Sequence, residues 1–119
     1  MTHNINFKSA WAGIVYAMTS QKNFIVHLAI GTSTILLGMI LKVGQIELLF
    51  LMLLFCLGLV VEMVNTAVES VVDLVTEEWK LHAKNAKDVA AGAMLIYALG
   101  SALIAGVILL PKIAIFIKS

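Results

Sequence analysis

The chain has 119 residues, enough for a single domain, of which 61% are hydrophobic and 13% charged, and its formal net charge is +1. A soluble domain carries roughly 45–50% apolar residues and about 25% charge, and so short a chain has too little volume to hide the excess. The composition therefore excludes a water-soluble globule, and the near-neutral balance points away from nucleic acid as a partner. Every basic residue is lysine. The single cysteine, Cys56, permits no disulfide within the chain and reads as a small buried hydrophobe.

The first element, residues 5–19 from Ile5 to Thr19, is expected to be an amphipathic helix. Phe7, Trp11, Ile14, Val15 and Met18 recur at spacings of three and four, with Lys8 and Ser9 off that face. Such a helix suits the membrane interface, where tryptophan and lysine prefer to sit. The N-terminal residues lack the charged-then-apolar order of a cleavable signal peptide, so the first span is expected to serve as the insertion signal. Ser20 is expected to cap the next helix.

A membrane core takes about 20 mostly apolar residues per helix. Three stretches qualify, at about 22–42, 47–75 and 84–110. In the first, His27 is the titratable group between Phe24 and Leu41. The second opens with uninterrupted apolar sequence from Leu48 to Val61 and then turns polar along one face. Residues 76–80 read as a turn, and Pro111 is expected to stop the third helix. Ala98, Ala102 and Gly106, four apart, form a small-residue stripe expected to serve close helix packing. With the N-terminus inside, Lys8, Lys22, Lys80, Lys84 and Lys87 lie on the inner face and Lys42, Lys112 and Lys118 on the outer one. The positive-inside bias selects that orientation.

The informative segment is VEMVNTAVESVVD, Val61 to Asp73. At about 100° per residue, Glu62, Asn65, Glu69 and Asp73 fall within an arc of roughly 80° on one helix face. A charge at the centre of a span costs about 2.5 kcal/mol or more, so such residues usually face a bundle interior or a polar cavity. Counted from Leu48 at 1.5 Å per residue, Glu62 lies about 21 Å along a hydrocarbon core about 30 Å thick. The stripe thus descends from hydrocarbon into cytoplasm, where a lipid head group and a soluble phosphate donor can meet. On the following helix Lys84, Lys87 and Asp88 return to the same interface. Carboxylates to hold Mg²⁺, a lysine to neutralise phosphate and a further carboxylate to take a hydroxyl proton are the parts of Mg-nucleotide phosphoryl transfer.

Two segments carry a resemblance to a known family. EMVNTAVESVVD (Glu62–Asp73) resembles the E-x-x-N-[ST]-A-[IV]-E-x-x-x-D signature of the small prokaryotic diacylglycerol kinase and undecaprenol kinase family, and AKDVAAGA (Ala86–Ala93) resembles its A-K-D-x-x-x-[GA]-A. The resemblance runs from about Phe7 to Pro111. It implies an all-α integral membrane homotrimer, three spans per subunit plus an interfacial N-terminal helix, working in a bacterial cell membrane with its active site on the cytoplasmic side.

Carried over by position, Glu62 is implied as the general base for the lipid hydroxyl, with Asn65 orienting groups around it. Glu69 is implied as a Mg²⁺ ligand. Asp73, Lys87, Asp88 and Glu78 fall in the ATP and phosphate neighbourhood, and Trp11, Phe24 and Ala93 in that of the lipid. One position departs from the pattern. The family usually has a metal-binding glutamate three residues before the phenylalanine of the first span, and here that residue is Gln21. K-N-F-x-x-H (Lys22–His27), L-L-P-K (Leu109–Lys112) and D-L-V-T (Asp73–Thr76) resemble the Gram-positive undecaprenol kinase branch, so the expected acceptor is undecaprenol, with diacylglycerol the alternative. A small proton-coupled transporter and a family relative inactivated at Gln21 are the competing readings. His27 is expected to pack or hydrogen-bond near the interface, Trp79 to anchor there, and Glu77 and Glu78 to lie in a solvated turn unless they contact the nucleotide.

Overall fold

The computed structural model describes residues 6–119, so Ile5, where the first helix was expected to begin, lies outside the described residues. Four helices follow one another: α1 (Phe7–Ser20), α2 (Lys22–Ile40), α3 (Gln45–Val75) and α4 (Leu81–Lys118). The last three are each long and apolar enough to cross a membrane. At 1.5 Å per residue the 38 residues of α4 span about 57 Å, which sets the longest dimension of the chain, 59 Å. α3 is central and packs against both α2 and α4, while α1 folds against α2 and α3.

The junctions follow from local chemistry. Asn6 caps α1 by accepting the Ser9 amide at 2.9 Å. Ser20 does not cap α2 as expected. It is the last residue of α1, its hydroxyl donates to the Tyr16 carbonyl at 2.6 Å, and extended Gln21 separates the two helices. α2 ends in a Schellman motif, the Val43 amide donating to the Gly38 carbonyl and the Lys42 amide to that of Met39. Lys42 therefore takes the left-handed conformation, φ 57°, a position that favours glycine. Glu47 secures the start of α3 by accepting the Gly44 amide at 3.0 Å. After α3, the Thr76 hydroxyl accepts the Glu78 amide at 3.1 Å and shapes the turn into α4.

At the end of the bundle near Lys42, Leu51, Ile108 and Leu109 form an apolar cluster flanked by Ile35, Leu41, Val43, Ala105 and Ile113. This packing explains a correction at Pro111, which does not stop α4: the helix continues through it to Lys118. Proline removes one backbone donor, a cost neighbouring helices can absorb within a bundle, and Ile113 beyond it packs on the cluster. Midway along the bundle Tyr97 lies over Gly58, where a Cβ would meet the phenol oxygen at 2.6 Å, and its hydroxyl donates to the Leu54 carbonyl. That contact sets the register of α4 against α3.

Most large apolar side chains remain exposed on the single chain, as lipid-facing groups are. Cys56, expected to be buried, is likewise exposed, because an apolar group in lipid has no need of a protein interior. Ala98 and Ala102 are open along a groove of about 270 Å³ with His27, Gly58 and Tyr97.

Candidate active site

The lower half of α3 carries the polar stripe into the bundle. Glu62 is completely buried, 0% exposed, beside buried Thr66, whose hydroxyl is turned back on the Glu62 carbonyl at 3.0 Å. Neither carboxylate oxygen of Glu62 has a hydrogen-bond partner. Its nearest titratable neighbour is His27 of α2, with Nε2 3.5 Å from Oε2, longer than a formed hydrogen bond. Buried polar groups are satisfied in the great majority of cases, so an open carboxylate here makes Glu62 a candidate for chemistry or ligand contact.

One to two turns further on, Glu69 sits between two amides. Asn65 donates to its Oε1 at 3.4 Å and Gln21 to its Oε2 at 3.5 Å, and the Asn65 carbonyl oxygen is buried without a partner. Gln21 reaches this place because it is the extended residue between α1 and α2. Long, weak bonds between a carboxylate and two amides form an adaptable oxygen-rich cradle. Rotating either amide exchanges its nitrogen for its oxygen, and Glu69 with the Gln21 carbonyl then offers the hard oxygens that Mg²⁺ prefers. Mg²⁺ typically takes one or two carboxylates and completes its shell with water and substrate phosphates. The residues present fit that ion.

At the end of the stripe, Asp73 of α3 accepts from Lys87 of α4 at 2.8 Å, and Lys84 reaches Asp88 at 2.5 Å. Both pairs are exposed. Beside them opens a cleft of about 330 Å³, lined among others by Glu78, Trp79, Lys80, Lys84, Lys87 and Asp88. From Glu62 to Asp73 the helix rises about 17 Å, so one helix face joins a dry carboxylate to an open, charged cleft.

The expected site residues divide into groups. Gln21, Asn65 and Glu69 converge, as do Asp73 and Lys87. Glu78 stands apart from the stripe, with its carboxylate 3.7 Å from Lys80, but lines the same cleft as Lys87 and Asp88. Trp11 is 65% exposed on α1, and Ala93 is exposed on α4 one turn from Tyr97. Phe24 is only 3% exposed, so its ring is part of the protein interior. Sequence reasoning placed His27 near the interface without joining it to Glu62, and it passed over Tyr97. The available signal for Tyr97 was a phenol in an apolar span, which needs a partner for its hydroxyl.

Comparison with known proteins shows the family. The family described as prokaryotic diacylglycerol kinase matches residues 8–109, an interval containing every site residue named above. A diacylglycerol kinase of Synechocystis sp. is 41% identical over 110 residues, covering 92% of this chain and 63% of that protein. An undecaprenol kinase of Bacillus subtilis is 35% identical over 108 residues, covering 91% of this chain and 88% of that protein. The chain thus spans a little under two thirds of the Synechocystis relative.

Proposed function

We propose that this chain, which belongs to the prokaryotic diacylglycerol kinase family, transfers the γ-phosphate of Mg-ATP to the hydroxyl of a membrane lipid alcohol, and that this alcohol is undecaprenol. The observation that carries the reading is the continuous face from buried, unpaired Glu62 to the exposed Asp73–Lys87 pair. A lipid hydroxyl approaches such a face from hydrocarbon, and a triphosphate approaches it from water. Glu62 accepts the hydroxyl proton as the alcohol oxygen bonds to the γ-phosphorus and the bond to the β-phosphate bridging oxygen breaks. Asn65 orients the groups around this step. Glu69 and Gln21 hold Mg²⁺, which when bound neutralises the negative charge on the phosphates. Lys87, Asp88, Asp73 and Glu78 receive the nucleotide in the charged cleft. Trp11 and Ala93 border the lipid, while Phe24 shapes its site from within.

The lysine distribution supports a cytoplasmic position for this cleft. A homotrimer is supported by the outward face of α3, where Phe50, Leu53, Leu57, Val60, Val64, Ala67 and Val71 are all exposed. They alternate at three and four residues, the spacing by which helices supercoil about a shared axis. α1, with exposed Phe7 and Trp11, is suited to lie in the interface of a bacterial cell membrane.

The segments Lys22–His27, Asp73–Thr76 and Leu109–Lys112 favour undecaprenol. The 41% identity to a protein named diacylglycerol kinase favours diacylglycerol as the second reading. A phosphorylation assay with Mg-ATP and each lipid in mixed micelles tests both. Undecaprenol is expected to be the faster acceptor. A preference for diacylglycerol transfers the assignment to the second reading, and no transfer to either lipid overturns the kinase function.

A further inference from the structure

We infer that His27 is the positioning residue of the general base: carrying a proton on Nε2, it keeps the Glu62 carboxylate ionised and aimed along the polar stripe. The inference rests on the kinase reading above. To accept a proton Glu62 must be charged, yet its side chain is 1% exposed and neither oxygen is hydrogen-bonded. A buried carboxylate without compensation neutralises itself rather than stay charged, and a neutral carboxyl is no base.

Compensation has one visible source among the described residues. α2 presents His27, 3.5 Å from Glu62. α4 presents Tyr97, whose ring centroid is 6.3 Å from that of His27 and whose hydroxyl is committed to the Leu54 carbonyl. On α3 itself Glu69 lies two turns away, held by Gln21 and Asn65. α1 carries Lys8 and Tyr16 as its titratable groups, and both are exposed. Lys87 on α4 is already paired with Asp73.

A charge-assisted hydrogen bond is about 2.8 Å long, so closing the pair takes a shift of roughly 0.7 Å. His27 thereby acts on the reaction through Glu62, without touching the lipid or the nucleotide.

The test compares the full chain with His27→Leu, His27→Phe and His27→Gln. The first two fill the space without a donor, and the third restores a donor without the charge. Two readouts are taken: steady-state kinetics, and infrared difference spectra of the substrate-free protein, with Glu62→Gln added to each background to assign the Glu62 carboxyl band. His27→Leu and His27→Phe are expected to lower kcat about 100-fold while KM for ATP stays within about twofold, the size of effect a disabled general base produces. They are also expected to add the band of a protonated carboxyl that Glu62→Gln removes, and His27→Gln to recover part of kcat. Wild-type kcat in the Leu and Phe variants overturns the inference, as does lost kcat with Glu62 still ionised. If the wild type phosphorylates no lipid while the carboxyl band responds to His27, the kinase reading falls and the pairing stands.

Discussion

The two ends of the bundle treat buried groups in opposite ways. Near Lys42, the cluster of Leu51, Ile108 and Leu109 is closed by apolar neighbours and asks for nothing polar. Toward the α3–α4 turn, three buried oxygens, two on Glu62 and one on Asn65, have no partner, and Glu69 is held by two long bonds. The apolar end behaves as a clamp whose worth is in packing. The polar end leaves these groups unsatisfied as a piece of folded protein, and it is there that the proposed function would seat substrate, metal and nucleotide. On the proposed function, stability and chemistry are separated along α3, one helix serving both.

Substitutions at the two ends should separate the same way. Glu62→Gln is expected to lower kcat by about 10²- to 10⁴-fold, the range for a lost general base, while thermal unfolding in detergent occurs at the wild-type temperature or above. A large fall in unfolding temperature would place Glu62 among the structural residues and dissolve the contrast. Leu51→Ala reverses the pattern, costing about 2–5 kcal/mol of stability by opening a cavity while the folded fraction retains its kcat. That is read by denaturant titration beside an assay normalised to folded protein, and loss of kcat in the folded fraction would show the clamp to be part of the machinery.

Two smaller effects sharpen the comparison. Gln21→Glu adds a second carboxylate beside Glu69 and should lower the Mg²⁺ concentration for half-maximal activity about tenfold, in the range expected for a changed partner at a metal ligand. An unchanged Mg²⁺ requirement would remove Gln21 from the metal site. Lys42→Gly, at the apolar end, relieves a left-handed backbone and is expected to add about 0.5 kcal/mol of stability with activity untouched. Destabilisation there would mean the lysine side chain contributes more than its conformation costs.

Much of this was legible beforehand because helix geometry is local. Residues at i, i+3, i+7 and i+11 share a face whatever surrounds them, so Glu62, Asn65, Glu69 and Asp73 declared a polar stripe from their spacing alone. The three apolar stretches likewise declared membrane helices, since no chain this short can bury so much apolar surface in water. Local rules failed where another element intervened. Pro111 reads as a stop, but Ile113 beyond it has a packed cluster to join. Ser20 reads as a cap for α2, but the extended residue is Gln21 and the serine is spent on α1.

The sequence by itself therefore determined the class of the protein, the presence of three long apolar helices and the existence of an acidic face, because composition and helical period depend on no distant contact. Only the tertiary structure decided what that face meets: His27 opposite Glu62, Gln21 beside Glu69, Lys87 on Asp73 and the phenol of Tyr97 over Gly58. Those pairings depend on how far one helix slides along another. That register is set by the steric fit of side chains across the interface, which no periodicity along a single helix encodes.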